Sequence, residues 1–366
     1  MKHDFFYIFL PVGGAVAVAL FFSAFLSGCY TLKQGVIMFS YLGRAVPLES
    51  LKDSEEDRLF VERIHDIRSF AMEELGLKES RNYTTYVRLD RKYLAAIVSA
   101  SAQDSFKRHE WHYPVVGTMP YKGFFAAEDA RREAEKLRKR NLDVWIRPVD
   151  AFSTLGWFRD PLYSFMRDYK AASLANLIIH ELLHSTIFIT GQVQFNEELA
   201  EFVGTEGARL YVESRFGRDS AEYREIFESE AESRAYVAFI QELCAELETV
   251  YSGGGSREEK LAEKAEVLEK AKRRFDAEYE SRFKSENYRA FSGMQLNNAY
   301  LELFRLYYGG GSYYRELYEL SGGDLPLFIE KAKALNKSRA AKKDPKEELE
   351  KLMNLLAPKG EVSRKR

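Results

Sequence analysis

The sequence predicts a mostly helical α+β fold, in which a small mixed sheet packs against a pair of helices and long helices follow. Three observations support this. Short clusters of β-branched and aromatic residues surround one charged helix between residues 83 and 158. Beyond Asp160 nearly all the chain has helical spacing of apolar residues. Glycine breaks at Gly191, 252–256 and 309–311 separate these helical segments, as turns between helices would.

The elements of the first half follow in order. Apolar residues at helical spacing run from Leu48 to Leu75, and Gly76 supplies a stop, so we expect the first folded element to be a helix there. A charged, alanine-rich helix is predicted over 126–140. Strands are predicted at 83–87, 94–98, 111–125 and 142–146.

The second half is predicted to be helical around a short motif. Segments 219–251 and 257–283 carry Glu and Lys four residues apart, which indicates the solvated faces of an antiparallel helix pair. The lysine-rich tail is expected to be frayed. The predicted divisions are a signal peptide (1–28), an N-terminal helix with an α+β layer (29–160), a helical region with the candidate site (161–330) and the tail (331–366).

The N-terminus predicts a membrane attachment. No charged residue occurs from Phe5 to Leu26, and the following Ser27-Gly28-Cys29 completes a pattern that resembles the lipobox of bacterial lipoproteins. Cleavage before Cys29 and its acylation would tether the body by lipid in the bacterial envelope, facing the periplasm or the outside. The alternative is one retained transmembrane helix, since about 20 apolar residues span a bilayer.

Net charge and cysteine content exclude some binding partners and bonds. The net charge of −2 gives no basic field that would favour a nucleic acid. Cys244 is the one cysteine besides Cys29, so with Cys29 acylated no intramolecular disulfide forms. Cys244 is therefore predicted to serve packing.

The pentapeptide His180-Glu181-Leu182-Leu183-His184 is the strongest chemical signal in the chain. On a helix, His180 and His184 lie one turn apart on the same face, where two imidazoles can bind one Zn²⁺. Glu181 can then act as the general base on a water molecule that attacks a carbonyl. The sequence therefore predicts one catalytic zinc per chain, which needs a third protein ligand.

The third ligand is predicted from Asn196-Glu197-Glu198-Leu199-Ala200. This segment resembles the Asn-Glu-x-x-Ala helix of the glutamate-zincin superfamily, and the resemblance implies Glu197 as the ligand. Small residues at Ala200, Gly204 and Ala208 would let this helix approach the first one closely. Glu198 should point away, and Glu201, one turn on, is a candidate to hydrogen-bond a ligating histidine or to be a solvated charge.

Further motifs resemble the bacterial putative aminopeptidase family from the lipobox to about Tyr308. They are residues 111–117, 121–125, 153–158 and 297–299. The resemblance implies a zincin-like site and a peptide substrate, and segment 152–158 could pair with that peptide as an edge strand. Tyr121, His112 and Tyr300 are candidate donors to the oxyanion, each weighed against structural packing. Asn297 and Asn298 could equally cap a helix.

The predicted function is a membrane-anchored zinc metallopeptidase, an aminopeptidase by the resemblance. The alternative is an envelope lipoprotein that binds zinc or a partner without hydrolysis. Glu181 favours the enzyme, because a structural zinc site has no need of a base. The dense charge over 219–283 disfavours an assembly factor that would bind partners through its long helices.

Overall fold

Helices dominate the computed structural model, which describes residues 30, 33–113, 117–150, 160–307 and 311–356. Together with a few small sheets they form the predicted mostly helical α+β architecture, which is thus confirmed. Cys29 and the candidate edge strand 152–158 lie outside the described residues. Within those described, no helix is both long and apolar enough to cross a membrane.

The strands of the described residues form three small sheets. They are β1 (Val46–Pro47), β2 (Thr85–Val87), β3 (Ala95–Ala102), β4 (Trp111–Tyr113), β5 (Gly117–Met119), β6 (Lys122–Phe124), β7 (Leu142–Val149) and β8 (Leu162–Tyr163). The first sheet is mixed, with order β1-β2-β8 and β2 parallel to β8. The second is antiparallel, with order β6-β3-β7. Strands β4 and β5 form a hairpin.

The helices follow the predicted order with one addition at the N-terminal end. They are α1 (33–42), α2 (Glu55–Ser69), α3 (Ala127–Arg138), α4 (Ala171–Thr186), α5 (Val193–Phe216), α6 (Ala221–Ser252), α7 (Arg257–Arg282), α8 (Asn298–Tyr307), α9 (Gly311–Leu320), α10 (Leu325–Ala332) and α11 (Pro345–Asn354). Short 3₁₀ turns cover Leu48–Ser50, Ser164–Asp168, Arg289–Gly293 and Lys333–Lys337, and a π-helical turn covers Phe70–Glu74.

The helix predicted from Leu48 begins later than expected, and it is not the first folded element. Ser54 caps α2 by accepting from the Asp57 N–H, while the Asp57 carboxylate accepts from the Ser54 N–H, so the helix starts at Glu55. Its C-terminal π turn runs into Gly76, whose φ of 70° ends the helix as predicted. Helix α1 and strand β1 precede α2.

Three apolar cores hold these elements together. The main core joins the first sheet to α2, α4, α5 and α9–α11. The second lies among α6, α7 and α8 and includes Cys244, which is buried, in agreement with its predicted packing role. The third lies between the second sheet and α3.

The tail differs from the prediction over its described part. Leu349 and Met353 of α11 are fully buried in the main core, so residues up to 356 belong to the folded body. These residues are buried because α11 has an apolar face. The high lysine content of the tail does not reveal that face, so composition alone predicts a frayed segment.

A buried polar junction ties the second sheet to the helices. The Asn298 side-chain amide donates to the carbonyls of Ala102, Gln103 and Ser105, and its oxygen accepts from the Tyr251 hydroxyl. Asn298 is fully buried, so these bonds satisfy its amide without water.

The neighbouring Asn297 caps α8. Its oxygen accepts from the Tyr300 N–H at 3.0 Å, and its amide donates to the Val144 carbonyl at 3.1 Å. Asn297 is therefore a cap, as the capping alternative predicts, whereas Asn298 is a buried structural residue and not a cap.

Candidate metal centre

Helix α4 brings two imidazole nitrogens to one point. His180 and His184 are four residues apart, so they share one face of the helix. Their Nε2 atoms lie 3.2 Å apart, with the ring planes at 84°. Two ligand atoms that each lie ~2.1 Å from a tetrahedral ion are separated by about 3.4 Å. The histidine pair therefore has the spacing of two ligands on one such ion.

Helix α5 adds a carboxylate to the pair. One oxygen of Glu197 lies 3.6 Å from Nε2 of His180, and the other lies 3.5 Å from Nε2 of His184. The three residues offer ligand atoms that all lie within 4.8 Å of one another. The side chain of Glu197 is 47% exposed, whereas that of His184 is 3% exposed. The centre is thus closed on the His184 side and open on the Glu197 side.

Small residues allow this approach of the two helices, as the sequence predicts. Ala200 and Ala208 are buried against the main core. A Cβ atom on Gly204 would lie 3.1 Å from the Asn176 carbonyl oxygen and 3.2 Å from Cβ of His180. Any larger residue at Gly204 would therefore push α5 away from the histidine helix.

Two asparagines fix the turn between the helices. Asn196, 3% exposed, accepts from the Ile189 N–H and donates to the Ile189 carbonyl, both at 2.9 Å. Asn336, from the C-terminal segment, accepts from the Phe188 N–H at 3.0 Å and donates to the Thr186 carbonyl at 2.7 Å. Because Asn196 immediately precedes Glu197, the first clamp sets where the carboxylate emerges.

The neighbouring glutamates behave differently from Glu197. Glu198 points away, as predicted: it accepts from the Tyr314 hydroxyl at 3.2 Å and pairs with Lys346 at 2.7 Å. Glu201 has a carboxylate oxygen 3.8 Å from Nδ1 of His180, longer than a hydrogen bond, and its side chain is 70% exposed. Its proposed contact with the ligating histidine stays a prediction.

The surroundings of the two histidines shift their pKa values in opposite directions. Burial, reinforced by the charge of His180 and opposed by that of Glu197, lowers the pKa of His184 to about 4. Burial also acts to lower the pKa of His180, but the nearby Glu197 carboxylate and the charges of Glu181 and Glu201 raise it overall. His184 is therefore neutral at pH 7, with a lone pair available to a metal.

The pKa of Glu197 is lowered. Burial acts to raise it, but the close approach of His180 and the charges of both histidines outweigh that effect. A carboxylate and a neutral imidazole at the same point form a donor set that fits zinc. Nδ1 of His184 is buried and has no hydrogen-bond partner among the described residues.

Glu181 lies on the same helix turn and is 7% exposed. Sequence reasoning missed Tyr83, which is influenced by the charge of Glu181 and is also buried, at 2% exposure. Burial, followed by the charge of Glu181, raises the pKa of Tyr83 well above its ordinary value. Tyr83 adopts a φ of 61°, held by its N–H donating to the Asp160 carbonyl at 2.7 Å. Such a backbone is costly for a bulky residue, and no signal in the predicted strand 83–87 announces it.

The three candidate oxyanion donors have structural contacts. His112 is exposed on β4, with Nδ1 2.8 Å from the Thr118 hydroxyl of β5. Tyr300 is buried in the second core, where its hydroxyl is paired with that of Tyr236. Tyr121 is half-buried between β5 and β6. Their proposed catalytic role stays a prediction.

Fold and site together define a mostly helical α+β protein with a His–His–Glu cluster able to hold a metal ion. The family described as "Putative aminopeptidase" matches residues 29–347, and the chain belongs to this family. That membership supports a peptidase acting on peptide substrates. No curated protein and no solved structure matches the chain.

Proposed function

We propose that this protein is a zinc-dependent aminopeptidase of the glutamate-zincin type, attached to a bacterial envelope membrane through a lipid on Cys29. The observation that carries the zinc proposal is the convergence of three ligand atoms from α4 and α5. The two imidazole nitrogens lie 3.2 Å apart, close to the edge of a tetrahedron around one zinc ion, and each lies 3.5 or 3.6 Å from one of the two Glu197 oxygens.

Each residue of the site has a separate role in the proposed reaction. When bound, zinc would supply Lewis-acid chemistry, lowering the pKa of a water molecule towards ~7 and polarising a peptide carbonyl. His180, His184 and Glu197 hold the ion. Glu181 takes a proton from the attacking water and passes it to the leaving amine. The open side at Glu197 is where a peptide enters.

An aminopeptidase is proposed over an endopeptidase because of the family to which the chain belongs. The alternative is a lipoprotein that binds zinc or a partner without hydrolysis. The position of Glu181 between the two histidine ligands on α4 favours the enzyme, because a zinc site that only binds has no need of a base there.

Metal content tests the ligand set. Purified wild type should hold about one zinc per chain by mass spectrometry, and Glu197→Gln should lose most of it. Glu198→Gln is the matched control: the next residue on the same helix faces α9 and α11, so its variant should keep the zinc. Absence of zinc from the wild type after reconstitution, or equal zinc in both variants, would contradict the assignment.

Activity of Glu181→Gln separates the two functions. Aminoacyl reporter substrates and internally quenched peptides would be cleaved by the wild type, and the variant should keep its zinc while losing about 10²- to 10⁴-fold in kcat. A zinc-loaded wild type that cleaves neither kind of substrate would favour the binding lipoprotein instead.

A further inference from the structure

Helix α1 exposes two large apolar side chains on one face. Val36 is 66% exposed and Phe39 is 56% exposed, and they are three residues apart, so they lie side by side on the helix. The opposite face is covered, because Ile37, Met38 and Tyr41 pack against the main core. Helix α1 therefore has apolar side chains on both faces. A helix whose outer face contacts only water usually has polar residues on that face.

The contacts of α1 fix it to the body. The Gln34 side chain accepts from the Phe125 N–H at 2.8 Å, and the Tyr41 ring meets the Phe125 ring edge to face. Just before the helix, the Tyr30 hydroxyl donates to the Gly123 carbonyl on the outer edge of β6. The face formed by Val36 and Phe39 thus has a set orientation relative to the second sheet.

The same contacts fix where the chain leaves the body. Tyr30 is the residue after Cys29, and the uncharged run from Phe5 to Leu26 ends three residues before Cys29. Val36 is seven positions after Cys29, and even a fully extended chain of that length reaches at most about 25 Å. Whether Cys29 carries lipid or the apolar run spans the bilayer, the exposed face of α1 is held close to the membrane surface.

The polar residues around this face suit a bilayer better than a second protein surface. Arg44 follows the helix and is exposed, with its guanidinium 5.1 Å from the centre of the Tyr41 ring. Lys33, at the other end of α1, is also exposed and forms an ion pair with Asp129. Cations at the margin of an apolar face match the arrangement of headgroup phosphates around acyl chains.

We propose that Val36 and Phe39 insert into the interfacial layer of the lipid bilayer and hold the body against it in one orientation. The inference rests on the membrane attachment in the proposed function and does not require zinc or hydrolysis. It makes α1 a second point of membrane contact beside the attachment at the N-terminus, and two points of contact fix the orientation of the body.

Depth-dependent fluorescence of the full-length chain tests this. Val36→Cys, Phe39→Cys and Glu258→Cys would each be introduced singly into the Cys244→Ser chain, whose Cys29 is acylated in the proposed attachment, and labelled with an environment-sensitive dye. The proteins would then be reconstituted into vesicles of phosphatidylethanolamine and phosphatidylglycerol. Glu258 is the control because it is exposed at the start of α7, on a different part of the surface from α1. The preceding residue, Arg257, contacts Gln103, which follows the end of β3 that lies away from α1.

Labels at 36 and 39 should shift to the blue, brighten several-fold and be quenched by nitroxide lipids, while the label at 258 should be quenched only by soluble iodide. Flotation with vesicles but equal iodide quenching at all three positions would overturn the inserted face. So would protection at 36 and 39 that accompanies cross-linked dimers. Failure to float would overturn both the attachment and this inference, while zinc content and activity would still decide the peptidase proposal separately.

A second variant makes the test causal. A label on Ser40, exposed on the same side of α1, should lose several-fold of its nitroxide quenching when Val36 and Phe39 are both changed to Ser. A circular dichroism spectrum and a melting temperature unchanged from wild type would show that the doubly substituted chain still folds. Unchanged quenching at Ser40 in that folded variant would refute the role of the two side chains.

Discussion

The close contact at Gly204 predicts that one added methyl group will weaken metal binding. In Gly204→Ala the new Cβ would lie 3.0 Å from the Asn176 side-chain oxygen, 3.1 Å from the Asn176 carbonyl and 3.2 Å from Cβ of His180. Two of these neighbours belong to, or sit directly on, the backbone of α4, so they cannot swing aside. Helix α5 must therefore move outward by a few tenths of an ångström.

The magnitude follows from two opposing effects. Alanine in place of a helical glycine stabilises by about 1 kcal/mol, while overpacking costs about 1–3 kcal/mol. We expect a net destabilisation of about 1 kcal/mol and a melting temperature lowered by about 2 °C. Glu197 lies two turns before Gly204 on the same face, so its carboxylate moves with α5. Zinc affinity should fall by about tenfold, the lower range for a change in what supports a ligand.

Gly207→Ala is the matched control, one turn further along α5. Its Cβ would also meet atoms at 3.0 Å, but these are methyl groups of Ile179 and Leu75, not backbone atoms or a ligating histidine. Competition with a chromophoric chelator would measure zinc affinity, and scanning calorimetry would measure stability. Equal zinc affinity in wild type and Gly204→Ala, or a larger loss in Gly207→Ala, would refute the reasoning.

Two further predictions concern stability. Asn196→Ala leaves the buried N–H of Ile189 without a partner, while its carbonyl keeps the Gln192 N–H, and should cost about 1–3 kcal/mol in urea unfolding. Gln194→Ala at the exposed start of α5 should change stability by less than ~0.5 kcal/mol. Equal effects would contradict the clamp. Glu232 accepts from the N–H groups of Lys284 and Ser285, and although its burial acts to raise its pKa, these bonds lower it overall. Its folded pKa is below the unfolded value of about 4.3, so Glu232→Gln should cost about 2 kcal/mol at pH 7, and the gap to wild type should close as pH falls below about 4.3. A gap that persists at pH 3 would show that charge is not its source.

The metal cluster was open to sequence reasoning because its information is local. Histidines four residues apart on a helix must share a face, and small residues at Ala200, Gly204 and Ala208 must leave room on one side of the next helix. Each of these statements depends on helical periodicity alone. The structure accordingly brings His180, His184 and Glu197 together as expected.

What sequence reasoning missed depends on contacts between distant segments. The left-handed backbone of Tyr83 is set by Asp160, 77 positions away along the printed sequence. Burial of Met353 depends on α9 and α10 lying beneath α11, which a lysine-rich composition obscures. Tyr300 was a candidate for the site by residue type, yet its hydroxyl is paired with Tyr236 in the second core. Residue type without a known neighbour does not locate a side chain.

The clamp that Asn336 forms on the turn after α4 has a consequence for the order of folding. It joins residues about 150 positions apart, and Lys342 adds a second such link by accepting from the Gln192 side chain. A nascent chain can form α4 and α5 early and clamp Ile189 with Asn196, but the part of the turn at Thr186 and Phe188 lacks its Asn336 clamp until the C-terminal segment has been made. Folding of the metal centre is therefore completed late, and we expect a peptidase of this design to become active only once its whole length has been synthesised.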